Sequence, residues 1–161
     1  MLHSDLPDLC SKLKEMSFLV KVDTNGTNPM IVKELMDRRL IDYIAVDIKA
    51  PLTVEKYSKA TGINAEKLLG KVKETVKILL ESRMDYEFRT TVVPTLHEEE
   101  DIKEICDGIK GCIKYVLQKF DVSLGKTTID PDFDKLKPFT DEEMKTFLTI
   151  AQESLSSVKL R

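Results

Sequence analysis

Asp23 and Asp47 close two apolar runs, Leu19-Val20-Lys21-Val22-Asp23 and Ile44-Ala45-Val46-Asp47, and a third run, Tyr86 to Pro94, carries Arg89. Two carboxylates at the ends of adjacent strands could bind a cation, hold a ligand's ammonium or hydroxyls, or serve as acid and base. The blander alternative is that Asp23 accepts turn amides in Asp23-Thr24-Asn25-Gly26 while Asp47 pairs with Lys49, since Asp in turns commonly bonds locally. Arg89 is harder to dismiss. A guanidinium inside a β-branched strand must meet a carboxylate, a phosphate or open solvent. No residue stands out as a catalytic nucleophile, and with 6 Gly in the chain no phosphate-cradling glycine loop is present.

The elements that would position these groups follow from periodicity. Helices are expected over Ser4–Met16, Pro29–Arg38, about Val54–Ala60, Asn64–Ser82, from Leu96 through the acidic run to Asp101 and beyond, and Glu142–Ser154. Pro7 and Pro29 suit first turns, and Thr140-Asp141-Glu142-Glu143 reads as a capping box. Strands are expected to end at Asp23, Ile48 and Val93, with a fourth over Ile113–Phe120 and a short last one over Ser157–Leu160. Asp121–Pro138, rich in Asp, Pro, Gly and Thr, reads as an extended loop over the rim. Strands separated by helices imply right-handed crossovers and an α/β fold with a parallel sheet of about four strands. Ligands collect beyond the carboxyl ends of such strands. Because a helix precedes the first strand, that strand is expected to be an uncovered edge, which invites a homodimer.

The chain has 161 residues and a formal net charge of −3, which fits a single domain over 1–161, with strands and helices to 120 and the rim loop and last helix over 121–161. Interspersed charges, 25 basic against 28 acidic, give no basic stripe for nucleic acid. No apolar run suits a membrane span or a signal peptide, so the cytoplasm is the default compartment. Cys10, Cys106 and Cys112 form neither a disulfide framework nor a zinc pattern, and read as buried thiols, Cys10 on a helix face with Leu6, Leu9 and Leu13 and Cys106 on another. His3 and His97, the only histidines, read as solvated helix-end residues without partners at metal-ligand spacing.

The ordered motifs V-D-T-N-G-T-N-P, I-D-Y-I-A-V-D-I-K-A-P and Y-E-F-R-T-T-V-V-P resemble the radical S-adenosylmethionine activating enzymes, nearest to those of pyruvate formate-lyase and anaerobic ribonucleotide reductase. The likeness runs from about Leu2 to about Phe120 and more weakly beyond. It implies a partial (β/α)6 barrel, S-adenosylmethionine against a [4Fe-4S] cluster, and a glycyl radical enzyme as protein partner. By the same resemblance Asp23, Thr24, Asn25 and Asp47 lie about the cofactor's methionyl group. Asp23 and Asp47 also match a monovalent cation site of some members, and Lys49 and Arg89 match further cofactor contacts. A zwitterionic tail needs both anionic and cationic partners, which this residue set supplies.

Three features depart from the family. The C-x-x-x-C-x-x-C loop that holds the cluster is missing, as is the Gly-Gly-Glu-Pro motif that ends the second strand; the three scattered cysteines cannot replace the triad. No histidine stands near Phe120, where members often have one. The expectation is therefore a truncated activating enzyme, inactive alone, with no cluster in this chain. The alternatives are a cluster-free module that binds a small molecule or protein, and an unrelated α/β domain whose acidic rim binds a metal-assisted substrate.

Overall fold

The computed structural model describes residues 5–122 and 130–161. Five parallel strands form one sheet in the order β1 (Lys21–Thr24), β2 (Tyr43–Asp47), β3 (Tyr86–Val92), β4 (Tyr115–Lys119), β5 (Val158–Leu160). Spatial order equals chain order, so each new strand is added at the same edge. With crossovers of one hand, this winding puts the helices on a single face.

Burial agrees with that placement. Val22, Ile44, Val46, Tyr86, Phe88, Tyr115 and Leu117 share one face and join one apolar core with the helices. The opposite face carries Lys21, Asp23, Tyr43, Asp47, Glu87, Arg89 and Lys114. Period-two alternation thus separates an apolar layer from a charged one.

The helices are α1 (Leu6–Glu15), α2 (Pro29–Asp37), α3 (Val54–Thr61), α4 (Glu66–Leu80), α5 (Glu99–Gly108) and α6 (Asp141–Ser154). Pro29 lies in the first turn of α2, where its missing N–H costs nothing, and Asn28 accepts the Ile31 amide as N-cap. Gly62, at φ +70, ends α3 in the left-handed conformation. The capping box at Thr140 forms as expected, with Glu143 and Thr140 bonding reciprocally. Glu98 and Asp101 cap α5 in the same manner.

The last strand expected over Ser157–Leu160 is β5, so the sheet has five strands. Part of the expected rim loop, 123–129, lies outside the described residues; Phe133–Lys135 forms a 3-10 turn rather than extended chain. In α1 Cys10 is buried while its neighbour Leu9 is exposed. Among the described residues β1 pairs with β2 alone, so it is an edge, and Leu19 just before it is 86% exposed.

Candidate functional site

Register brings the three motif residues together at the carboxyl end of the sheet. Asp47 lies directly opposite Arg89, and Asp23 is opposite Ala45. Arg89 Nε donates to Asp47 Oδ1 at 3.0 Å, and its Nη2 lies 2.8 Å from the same oxygen. Its Nη1 reaches across β2 to Asp23 Oδ2 at 2.8 Å. The crossing is open because Ala45 puts only a methyl group on that face.

Lys49 Nζ bonds Asp47 Oδ2 at 3.0 Å, and Lys21 Nζ lies 3.2 Å from Asp23 Oδ1. The result is a chain of alternating charge, Lys21, Asp23, Arg89, Asp47, Lys49. Burial alone would raise the Asp23 carboxyl, but the Arg89 hydrogen bond and charge, helped by Lys21, hold it below the usual carboxylate range. The Arg89 side chain is 11% exposed against 51% for Asp23, so the guanidinium is the fixed member and Asp23 the accessible one.

Thr24 and Asn25 do a different job. Thr24 lies on the apolar side of β1, and its Oγ1 accepts the Gly26 amide at 3.2 Å. Asn25 Oδ1 accepts the Thr27 amide at 3.2 Å and the Thr27 hydroxyl at 2.8 Å. These two side chains take the turn amides, which frees Asp23 to face Arg89. Gly26 stands at φ +73 and its carbonyl accepts the buried Thr75 hydroxyl of α4 at 2.8 Å. The turn is therefore anchored to the helix layer.

A second cluster on the same face has no counterpart in the motif reading. Glu87 has a side chain 1% exposed, with Lys114 Nζ at 2.7 Å, Arg161 Nη1 at 3.4 Å and Lys21 Nζ at 3.9 Å. The Tyr43 hydroxyl donates to it at 3.1 Å. Burial opposes ionisation, yet the Lys114 and Tyr43 hydrogen bonds and the cations outweigh it and lower the Glu87 pKa. Five cations, Lys21, Lys49, Arg89, Lys114 and Arg161, thus surround three carboxylates on this face. The face is net positive on a chain that is net negative, and so favours an anionic group on a ligand. Alternation places Glu87 two residues from Arg89 on one strand, the one signal that could have found it.

His97 is not solvated: it is 3% exposed. The chain turns back after Pro94 through Thr95 at φ +74, and the His97 amide donates to the Val93 carbonyl at 3.0 Å. This tucks the imidazole between the exits of β2 and β3. Burial pushes its pKa below the ordinary histidine value, against the upward pull of the hydrogen bond it donates to the Lys49 carbonyl.

The three thiols were expected to be buried and are. Burial pushes Cys106 up to about 12 and Cys112 to about 11, and raises Cys10 as well. Iron–sulfur ligation needs accessible thiolates, so these cysteines do not fit a [4Fe-4S] cluster. Among the described residues no group of three or more His, Cys, Asp or Glu could hold a metal ion, and no helix is long and apolar enough to cross a membrane.

A one-way parallel sheet with charged strand ends on its inner face defines a partial (β/α) barrel. A domain of a pyruvate-formate lyase-activating enzyme from Bacteroides vulgatus shares this fold, with a TM-score of 0.68 over 97% of this chain and 89% of that one, at 13% identity. No family model matches.

A Methanocaldococcus jannaschii protein under the provisional name of glycyl-radical enzyme activating enzyme is 33% identical over 148 residues, 92% of this chain and 60% of its own. Another from that organism, similarly named, is 27% identical over 123 residues, 71% of this chain and 47% of its own. The chain thus spans about half to three fifths of the relatives it matches. The resemblance carried by the three motifs holds: this chain is similar in sequence to proteins named as glycyl-radical enzyme activating enzymes.

Proposed function

We propose that these residues form the strand-end part of an S-adenosylmethionine site in a glycyl-radical enzyme activating protein, and that the chain by itself lacks the cluster that reduces the cofactor. The observation that carries the reading is the Asp23–Arg89–Asp47 clamp at the carboxyl ends of three parallel strands. Asp23 and Asp47 offer oxygens to an ammonium or a monovalent cation. Lys49 and Arg89 offer donors to a carboxylate, within a face whose positive excess suits one. Thr24 and Asn25 shape the turn around the ligand, with local bonds holding their side chains.

A bound cluster would supply the electron that cleaves the cofactor, for hydrogen abstraction from a glycine of the partner enzyme. The chain's buried thiols do not fit that group. The compartment that follows is the cytoplasm of a cell able to grow without oxygen. The free edge of β1 favours a second reading alongside the first, in which another polypeptide, or a second copy, completes the sheet.

The test is equilibrium dialysis of labelled S-adenosylmethionine against the wild-type chain and its Asp47→Asn variant, with an assay for 5′-deoxyadenosine after anaerobic reconstitution with iron and sulfide. The expected result is binding that Asp47→Asn weakens at least tenfold, and no 5′-deoxyadenosine. Failure to bind overturns the site; formation of 5′-deoxyadenosine overturns the assignment of inactivity.

A further inference from the structure

The β2–β3 register ends at Asp47 and Arg89; the chain leaves β2 through Ile48 and Lys49, and the Ile48 amide still donates to the Arg89 carbonyl at 2.7 Å. Past that bond side chains take the Ile48 carbonyl and both Lys49 backbone groups. The Thr90 hydroxyl donates to the Ile48 carbonyl at 2.9 Å, and the Tyr115 hydroxyl donates to Thr90 at 2.8 Å. The Lys49 amide meets the Tyr57 hydroxyl oxygen at 3.4 Å, a long contact. The Lys49 carbonyl is 3.0 Å from His97 Nε2, and the Val93 amide donates to His97 Nδ1 at 3.0 Å.

These contacts settle the tautomer. A backbone amide only donates, so Nδ1 carries no proton; a carbonyl only accepts, so Nε2 does. One neutral imidazole therefore joins the exit of β2 to the exit of β3. The residues it joins lie beyond the two strands that carry Asp47 and Arg89.

We propose that His97 is a positioning residue for the strand-end site: through the Lys49 carbonyl and the Val93 amide it holds the exits of β2 and β3 in the register at which Arg89 clamps Asp47 and Lys49 meets the same carboxylate. Nothing in the three motifs assigns it this role. The inference rests on the reading of the clamp as a ligand site, and its test separates the two.

Amide side chains can replace either half of the ring. Gln extends to the position of Nε2 and keeps a donor for Lys49; Asn reaches only the position of Nδ1 and keeps an acceptor for Val93. The experiment compares wild type, His97→Gln and His97→Asn by thermal melting, by dialysis with S-adenosylmethionine, and by ¹⁵N spectra that record the imidazole tautomer and the Lys49 amide and Arg89 Nε–H signals.

The expected result is a wild-type ring protonated at Nε2, affinity within threefold of wild type for His97→Gln, and a loss of tenfold or more for His97→Asn. The Lys49 and Arg89 signals should shift only in His97→Asn. A ring protonated at Nδ1, or two variants that melt lower but leave both signals in place, overturns the proposal. If wild type binds no S-adenosylmethionine, the ligand reading falls while the spectra still decide the role of His97.

Discussion

Arg89 and Asp47 stand opposite each other in the β2–β3 register, and the guanidinium holds one carboxylate oxygen through Nε at 3.0 Å and Nη2 at 2.8 Å. Its Nη1 then spans a whole strand to Asp23. A lysine is a point donor and cannot bridge carboxylates on β1 and β2 at once. Arg89→Lys should destabilise the chain by about 1–3 kcal/mol, mostly through the better-buried Asp47 side, since half-exposed Asp23 adds little. Urea unfolding checks this; an unchanged midpoint would mean the clamp adds nothing to stability.

Acid should act in two stages. The His97 pKa is lowered from 6.5, so its share of stability is complete above that value and declines as pH falls below it. The Glu87 pKa is lowered from 4.5, so its share is complete above 4.5 and disappears as pH falls through its folded value. Unfolding free energy measured from pH 8 to pH 3 should therefore bend twice. Glu87→Gln should flatten the lower bend and cost about 1–3 kcal/mol at neutral pH, by leaving Lys114 without its buried counter-charge. A lower bend that persists in Glu87→Gln would assign it elsewhere.

Two glycines form a matched test of the site turn. At Gly26, with φ +73, an added Cβ would come within 3.2 Å of Val46 Cγ1. Gly70 lies inside α4 with nothing within 4 Å. Gly26→Ala should destabilise by about 1–3 kcal/mol and weaken ligand binding, whereas Gly70→Ala should stabilise by about 0.5–1 kcal/mol. Equal effects in thermal melts would refute the turn argument.

The thiols should be silent. With Cys106 at about 12 and Cys112 at about 11, a thiol reagent at pH 8 should modify neither in the native chain and should titrate all 3 cysteines in guanidinium. Fast native labelling of either would reopen the question of cluster ligation.

The free edge of β1 predicts self-association. Leu19 is 86% and Phe18 52% exposed beside it, so sedimentation at two concentrations should show a concentration-dependent dimer that Leu19→Lys removes. A monomer at both concentrations would count against the edge as an interface between copies.

Much of this was written locally along the chain. Period-two alternation placed Asp23, Asp47 and Arg89 on one face, and Pro29, Gly62 and the Thr140–Glu143 box marked helix ends through bonds within a few residues. The absence of the cluster motif was equally plain from spacing. What long-range packing decided is which charges meet and which side chains lose water. Glu87 is hydrogen-bonded by Tyr43 and neutralised by Lys114 and Arg161, up to 74 residues away in sequence, and a carboxylate in a strand reads the same whether exposed or enclosed. His97 looked like a helix-end residue because its burial depends on Lys49, 48 residues earlier, whose carbonyl comes within reach only when two strands have paired. Local pattern specifies an element and its faces; desolvation and ion pairing depend on the distance between elements, and that distance is set by the assembled sheet.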